Sequence, residues 1–333
     1  GVIAAPPLEK GGCLMPKKQK SSTVRGKGRK QGAIRLDFQK NKAVYFMFLP
    51  VVIFYLTFHY YPMSGIILAF KDFKPALGIW GSPFTDEFGF KHFIDFFSSS
   101  HAARTITNTI LISFYQIIFG FPMPIILAIM LNELRNQKFK KVMQTVTYFP
   151  HFISTVVVCG MLTEFCLSDG LFNQISGFFG VEPVSLLSQP KYFRTIYVAS
   201  GIWQSMGWDS IIYLAAIAGI DTQLYEAASL DGAGRFRKIW HITLPGIKGT
   251  IVILFIMQIG KMMSVGSEKI LLLYNPSTYS TADVISTYVY RKGLLDQDYS
   301  YSTAVNLFNS VINFVLVFLA NALSRKLTET SLF

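Results

Sequence analysis

The sequence predicts an all-α polytopic membrane protein with about six transmembrane helices. Three observations point there. Charged side chains make up 15% of the 333 residues, whereas a soluble domain carries about 25%. The mean hydropathy is positive, +0.38. Apolar stretches of the length needed to cross a bilayer, about twenty residues, recur along the chain.

The chain opens on a basic arm, residues 1–42, in which Lys10 to Lys42 carry eleven Lys/Arg against one acid, Asp37. Met15, followed by Pro-Lys-Lys, reads as a natural start, which makes residues 1–14 a leader to be left out of fold reasoning. No cleavable signal peptide is expected. The formal charge of +12 raises nucleic acid as a partner, but the charge is concentrated just ahead of an apolar run. Such an arm faces anionic membrane lipid and fixes topology, so no nucleic acid is expected.

Spans follow at about 43–66, 106–131, 146–167, 195–219, 249–265 and 303–323. Pro122 and Pro124 are expected to bend the second. The fourth is amphipathic and the weakest by hydropathy. With the N-terminus inside, 21 Lys/Arg fall in the inner segments and nine in the outer loops, with Lys261 inside a span. That bias predicts cytoplasmic N- and C-termini. Between the first two spans, residues 86–97 read as a short interfacial helix with Phe90, Phe93, Phe96 and Phe97 on one face. The outer loop 266–302 is rich in tyrosine, which suits an interface first and sugar stacking second. Cys13, Cys159 and Cys166 make no disulfide framework.

One inner loop stands out, EAASLDGAGRFRKIWHITLP at 226–245. Asp221 or Thr222 is placed to cap a short helix reaching Asp231, and Gly232 and Gly234 then allow a tight turn. A second short helix, Arg235 to Ile242, alternates basic and apolar residues until Pro245 closes it. Two helices joined by a glycine elbow make a compact knob offering small residues to a partner. An amphipathic loop lying on the membrane fits the same pattern, and physics alone leaves both open.

The spacing carries a resemblance. Glu226-Ala227-Ala228, three residues, Gly232, nine residues and Ile242-x-Leu244-Pro245 together resemble the EAA loop of binding-protein-dependent ABC importer permeases. GFKHFIDFF (89–97), NTILISFYQIIFGFPMPIILAIMLNELR (108–135), TVTYFPHFIS (145–154), EKILLLYNP (268–276) and ADVISTYVYRKGL (282–294) are similar to the oligosaccharide permeases of the LplB type. The larger permease subunit of alginate importers shares this pattern. The likeness covers about residues 42–327. It implies a type I ABC importer permease fold for 43–327 and a bacterial inner-membrane location. It also implies that Glu226, Ala227, Ala228, Gly232, Leu244 and Pro245 form the coupling helix that docks on an ATPase. The implied partners are a second homologous permease, an ATP-binding-cassette ATPase dimer, an extracytoplasmic solute-binding protein and an oligosaccharide, with an acidic uronate such as alginate as the narrower expectation.

The chain has no G-x-x-x-x-G-K-[ST] loop to cradle ATP phosphates, no G-x-S-x-G elbow and no metal-ligand spacing among its five histidines. It is therefore expected to be no enzyme, with no cofactor of its own and with ATP and magnesium on the partner ATPase. Polar residues inside spans are the candidates for a substrate path, because each is costly in hydrocarbon. They are Trp203, Gln204, Trp208 and Asp209 in the fourth span, Gln258 and Lys261 in the fifth, and Asn306, Asn309 and Asn313 in the sixth. Interhelical hydrogen bonding is the competing explanation for each. Two other functions stay open from the residues: an ion-coupled secondary transporter, and a membrane scaffold or receptor recruiting a cytoplasmic partner.

Overall fold

The computed structural model describes residues 40–328, so residues 1–14, expected to be a leader, and most of the basic arm lie outside the described residues. Described residues are helical, with one isolated bridge between Lys71 and Phe84 and no strand among them. The chain divides into two units, residues 1–64 and 65–333.

In the first unit, α1 (Lys42–Tyr55) runs on through a π-turn at Leu56–Tyr60. No side chain of α1 is buried, and Phe46, Met47 and Phe48 stand exposed. A helix apolar all round matches hydrocarbon as its solvent.

The second unit begins its helical body with α2 (Lys91–Ser98), whose Phe96 is buried while Phe97, and Phe90 just ahead of the helix, are exposed. The next two helices, α3 (Ser100–Tyr115) and α4 (Pro122–Glu133), form one run, Ser100–Glu133. Ser99 caps α3 by accepting from the Ala102 N–H. Pro122 and Pro124 sit just past a π-turn at Gln116–Gly120, where the Phe121 N–H donates to the Gln116 carbonyl five residues back. The widened turn leaves room for rings that lack an N–H, so the run continues.

The third apolar stretch is broken. Helix α5 (Gln137–Tyr148) runs through a 3₁₀ turn to Phe152, and α6 (Thr155–Phe165) leaves it at 95°. Pro150 cannot carry the ladder on, and Ser154 restarts it by accepting from the Val157 N–H. Helix α7 (Pro190–Ala218) then spans 29 residues from a proline at its first turn. At Gly207 a Cβ would run into the Thr147 carbonyl, so only glycine lets α7 press against the end of α5.

Six further pieces follow. Helix α8 (Thr222–Leu230) precedes α9 (Arg235–Lys238), which continues through a π-turn to Gly246. Helix α10 (Lys248–Ile259) departs from that run at 62°. Beyond it lie α11 (Ser267–Leu273), α12 (Ile285–Tyr290) and the long α13 (Tyr299–Thr328). Among the described residues three runs are long and apolar enough to cross a membrane, Lys42–Phe70, Ser100–Glu133 and Tyr299–Lys326, and the two bent pairs raise that to five. Helix α7 has the length but is less apolar.

Buried apolar side chains gather in three places. Ala128, Tyr213, Ile217 and Ile247 join α4, α7 and the start of α10. Ile112, Cys159, Phe193, Tyr197 and Ile270 join α3, α6, α7 and α11. Phe96, Ala102, Ile285, Tyr288, Tyr301 and Val305 join α2, α3, α12 and α13. The first two hold α7 at its two ends and leave its middle turns beside a cavity.

Candidate functional site

The elbow forms as a rigid unit. Asp221 caps α8 by accepting from the Gln223 N–H at 2.9 Å. Gly232 ends it with φ +72°, while the Ala233 N–H reaches back to the Ala228 carbonyl at 2.8 Å and the Gly232 N–H to Ser229. That pair of bonds is a Schellman cap, which a residue without Cβ adopts freely. Two side-chain bonds then tie α8 to the second helix: Lys238 Nζ donates to Ser229 Oγ at 2.6 Å, and the Tyr225 and Thr243 hydroxyls meet at 2.9 Å. Glu226, Ala227, Gly232 and Pro245 are exposed, and Ala228 and Leu244 are half-buried. Leu230 and Phe236 are bare at the tip, 90% and 88% exposed. Two apolar side chains held out by a braced turn make a surface for another protein or for lipid.

Midway along α7 a cavity of about 420 Å³ opens between α7, the Gln116–Gly120 turn with α4, and the end of α10. Four of the residues singled out from the sequence line it: Gln204, Asp209, Gln258 and Lys261. Gln204 Nε2 also donates to the Ile153 carbonyl at the break between α5 and α6. Because α10 ends at Ile259, Lys261 stands in the turn beyond the helix and still borders the cavity.

The other candidates lie elsewhere. Trp203 is part-exposed and off the cavity wall, and Trp208 stacks face to face on His151, with ring centroids 4.7 Å apart. Asn306 borders a separate hollow with Ser286, Tyr290 and Ser302. Asn309 is buried, and Asn313 accepts from the Met263 N–H and donates to Ser264 Oγ, tying α13 to the turn after α10.

Residues 102–329 match the family described as the binding-protein-dependent transport system inner membrane component. Two relatives in Bacillus subtilis (strain 168) are each 42% identical. Protein LplB is aligned over 89% of this chain and 92% of its own length. The polygalacturonan/rhamnogalacturonan transport system permease protein YteP is aligned over 92% of this chain and 95% of its own. A solved bacterial ABC transporter involved in the import of the acidic polysaccharide alginate contains a chain 44% identical, with a TM-score of 0.82 over 89% of this chain and 99% of that one. This chain belongs to that permease family. It is the permease of a binding-protein-dependent ABC sugar importer.

Three features of the candidate site and its surroundings went unread in the sequence. Gln116 lines the cavity. Lys269, on α11, lines it too, with its Nζ 5.6 Å from the centroid of the Tyr197 ring. Burial lowers the Lys269 pKa to about 8. Away from the cavity, Asp283 is fully buried between Arg104 at 3.1 Å and Arg291 at 2.7 Å. Asp283 Oδ1 accepts from Thr287 Oγ1, and its carbonyl accepts from Asn108, which in turn takes a bond from Arg194. Burial opposes the Arg291 charge, but hydrogen bonds to Asp283 and Tyr274 outweigh it and raise its pKa. This network pins α3, α7 and the 274–291 segment together. A lone arginine or aspartate in a linear sequence gives no sign of such pairing.

Proposed function

We propose that the permease moves an acidic oligosaccharide through the α7 cavity, with the 226–245 elbow docked on a separate ATPase as the driver. The cavity carries the proposal. Three amides, Gln116, Gln204 and Gln258, share it with Lys261 and Asp209. Amides hydrogen-bond sugar hydroxyls as donors and acceptors alike, and the volume lies within the about 300–1,000 Å³ common to small-ligand sites. Relatives support an acidic sugar: one is named for polygalacturonan and rhamnogalacturonan, another for alginate. A solved alginate importer is described in complex with a pentasaccharide-bound periplasmic protein, which supports delivery by a solute-binding protein here.

The chain supplies the route and the lever, and ATP with its magnesium would be held by the partner. A second permease would face this one, and ATP-driven closure of the ATPases would rock the pair between inward- and outward-facing states. Both termini would be cytoplasmic. Family membership sets aside the ion-coupled and scaffold alternatives.

The test is ATP-driven uptake of labelled oligouronate into proteoliposomes holding the full importer and its binding protein. Gln204→Ala and Gln258→Ala should each slow uptake up to about tenfold, the worth of one or two lost hydrogen bonds. Wild-type uptake in both variants would remove the cavity from the route.

A further inference from the structure

We infer that Lys269 is the specificity-determining cation of this permease, its ammonium pairing with a carboxylate of the transported sugar. The inference rests on the α7 cavity being the substrate route. Lys269 Nζ is buried and has no hydrogen-bond partner among the described residues. Its near neighbours are the Tyr197 ring and Gly201, whose missing Cβ would lie 3.8 Å from Nζ. An aromatic face compensates a cation in part, but a buried ammonium is ordinarily paired with an anion. Asp283 shows the ordinary outcome in the same unit, with a guanidinium on either side. No such partner reaches Lys269. The neighbouring Glu268 makes no ion pair with it, and neither does Asp209.

The cavity therefore presents two ammonium groups, Lys261 and Lys269, against one carboxylate, Asp209. A neutral hexose would leave Lys269 unpaired, whereas a uronate would supply its missing counter-ion. Lys261 is exposed and solvated, so it gains less from the same anion. That difference assigns the selectivity to Lys269. Gly201 contributes by absence, since a side chain there would fill the space beside the ammonium.

Equilibrium binding to the detergent-solubilised complete importer tests this, using galacturonate and mannuronate trimers against neutral hexose trimers. The wild type should prefer the acids. Lys269→Gln should lower that preference about tenfold or more, the scale of a lost charge-assisted hydrogen bond, and Lys269→Arg should keep it. A purely structural lysine would weaken acid and neutral binding alike, and an unchanged preference in Lys269→Gln overturns the inference. If Gln204→Ala still weakens binding in that case, the cavity stands and Lys269 alone has been misassigned. No binding of any trimer by the wild type overturns both.

A titration needs no assembly-sensitive variant. With its pKa lowered to about 8, Lys269 keeps its charge below that pH and loses it as pH rises through it. The acid preference of the wild type should fall over the same range. Asp209, Lys261, Tyr213, Glu268, Cys159 and Tyr197 are the other ionisable groups around the cavity and the ammonium. A preference that stays flat in Lys269→Arg, whose guanidinium does not titrate, assigns the change to Lys269. A preference that is flat in the wild type, or that falls equally in the arginine variant, contradicts the inference.

Discussion

Gly232 shows how much one backbone angle can carry. Its φ of +72° has no side chain within 4 Å to explain it, so the requirement is conformational and not steric. An L-residue there pays roughly 1–2 kcal/mol, and asparagine less than a β-branched residue. Substrate-stimulated ATPase activity should therefore rank Gly232 above Gly232→Asn above Gly232→Val, with membrane insertion unaffected. Equal stimulation in all three would show that the elbow tolerates any exit angle and transmits nothing. At this scale the sequence was partly legible. Asp221 and Gly232 sit where cap and elbow rules put them, whereas Pro245, expected to close the second helix, lies inside a run that a π-turn at Ile239–Thr243 carries on to Gly246. Gln204, Gln258 and Lys261 share the cavity because polar groups in an apolar helix are drawn to one place. Trp208, a candidate for the substrate path, has a face on His151, a partner 57 positions away that no local pattern reveals. Lys269 was missed because it falls in a stretch read as outer loop, where a lysine is unremarked.

Helices meet here through devices of different legibility. The break between α5 and α6 was written in Pro150 and Ser154, yet a continuous apolar run concealed it under a single span. The reverse holds at Pro122 and Pro124, where the π-turn at Gln116–Gly120 accommodates the prolines and brings Gln116 to the cavity. Length and composition predict a proline's cost, but they do not show which turn will absorb it. Contact between elements depends most on Asp283, buried with Arg104 and Arg291 against α3. Removing one member of a buried pair leaves the others uncompensated, at about 3–5 kcal/mol. Asp283→Ala should accordingly lower the melting temperature of the solubilised importer well below that of Lys292→Ala, which breaks only the exposed pair with Asp296. Comparable melting of the two variants would mean that the network is not a structural tie.

Across the whole chain, hydropathy and charge gave the fold class, and the family likeness named the architecture. What neither could give is how a stroke at the 226–245 elbow reaches a cavity beside Gln204. The covalent path is short. The elbow's second helix runs into α10 at a 62° bend, and α10 ends beside Gln258 and Lys261 on the cavity wall. At its other side the elbow leaves α7, which carries Gln204 and Asp209. A push on the elbow thus acts on two of the helices that line the cavity, which is the geometry a rocking mechanism requires.

Photocrosslinking from Ala227 on that elbow, in importer actively taking up oligouronate, puts the central claim at most direct risk. The account predicts capture of the ATP-hydrolysing subunit, with a yield that changes between nucleotide-free and nucleotide-trapped states. Capture of lipid alone, with uptake intact, would contradict it.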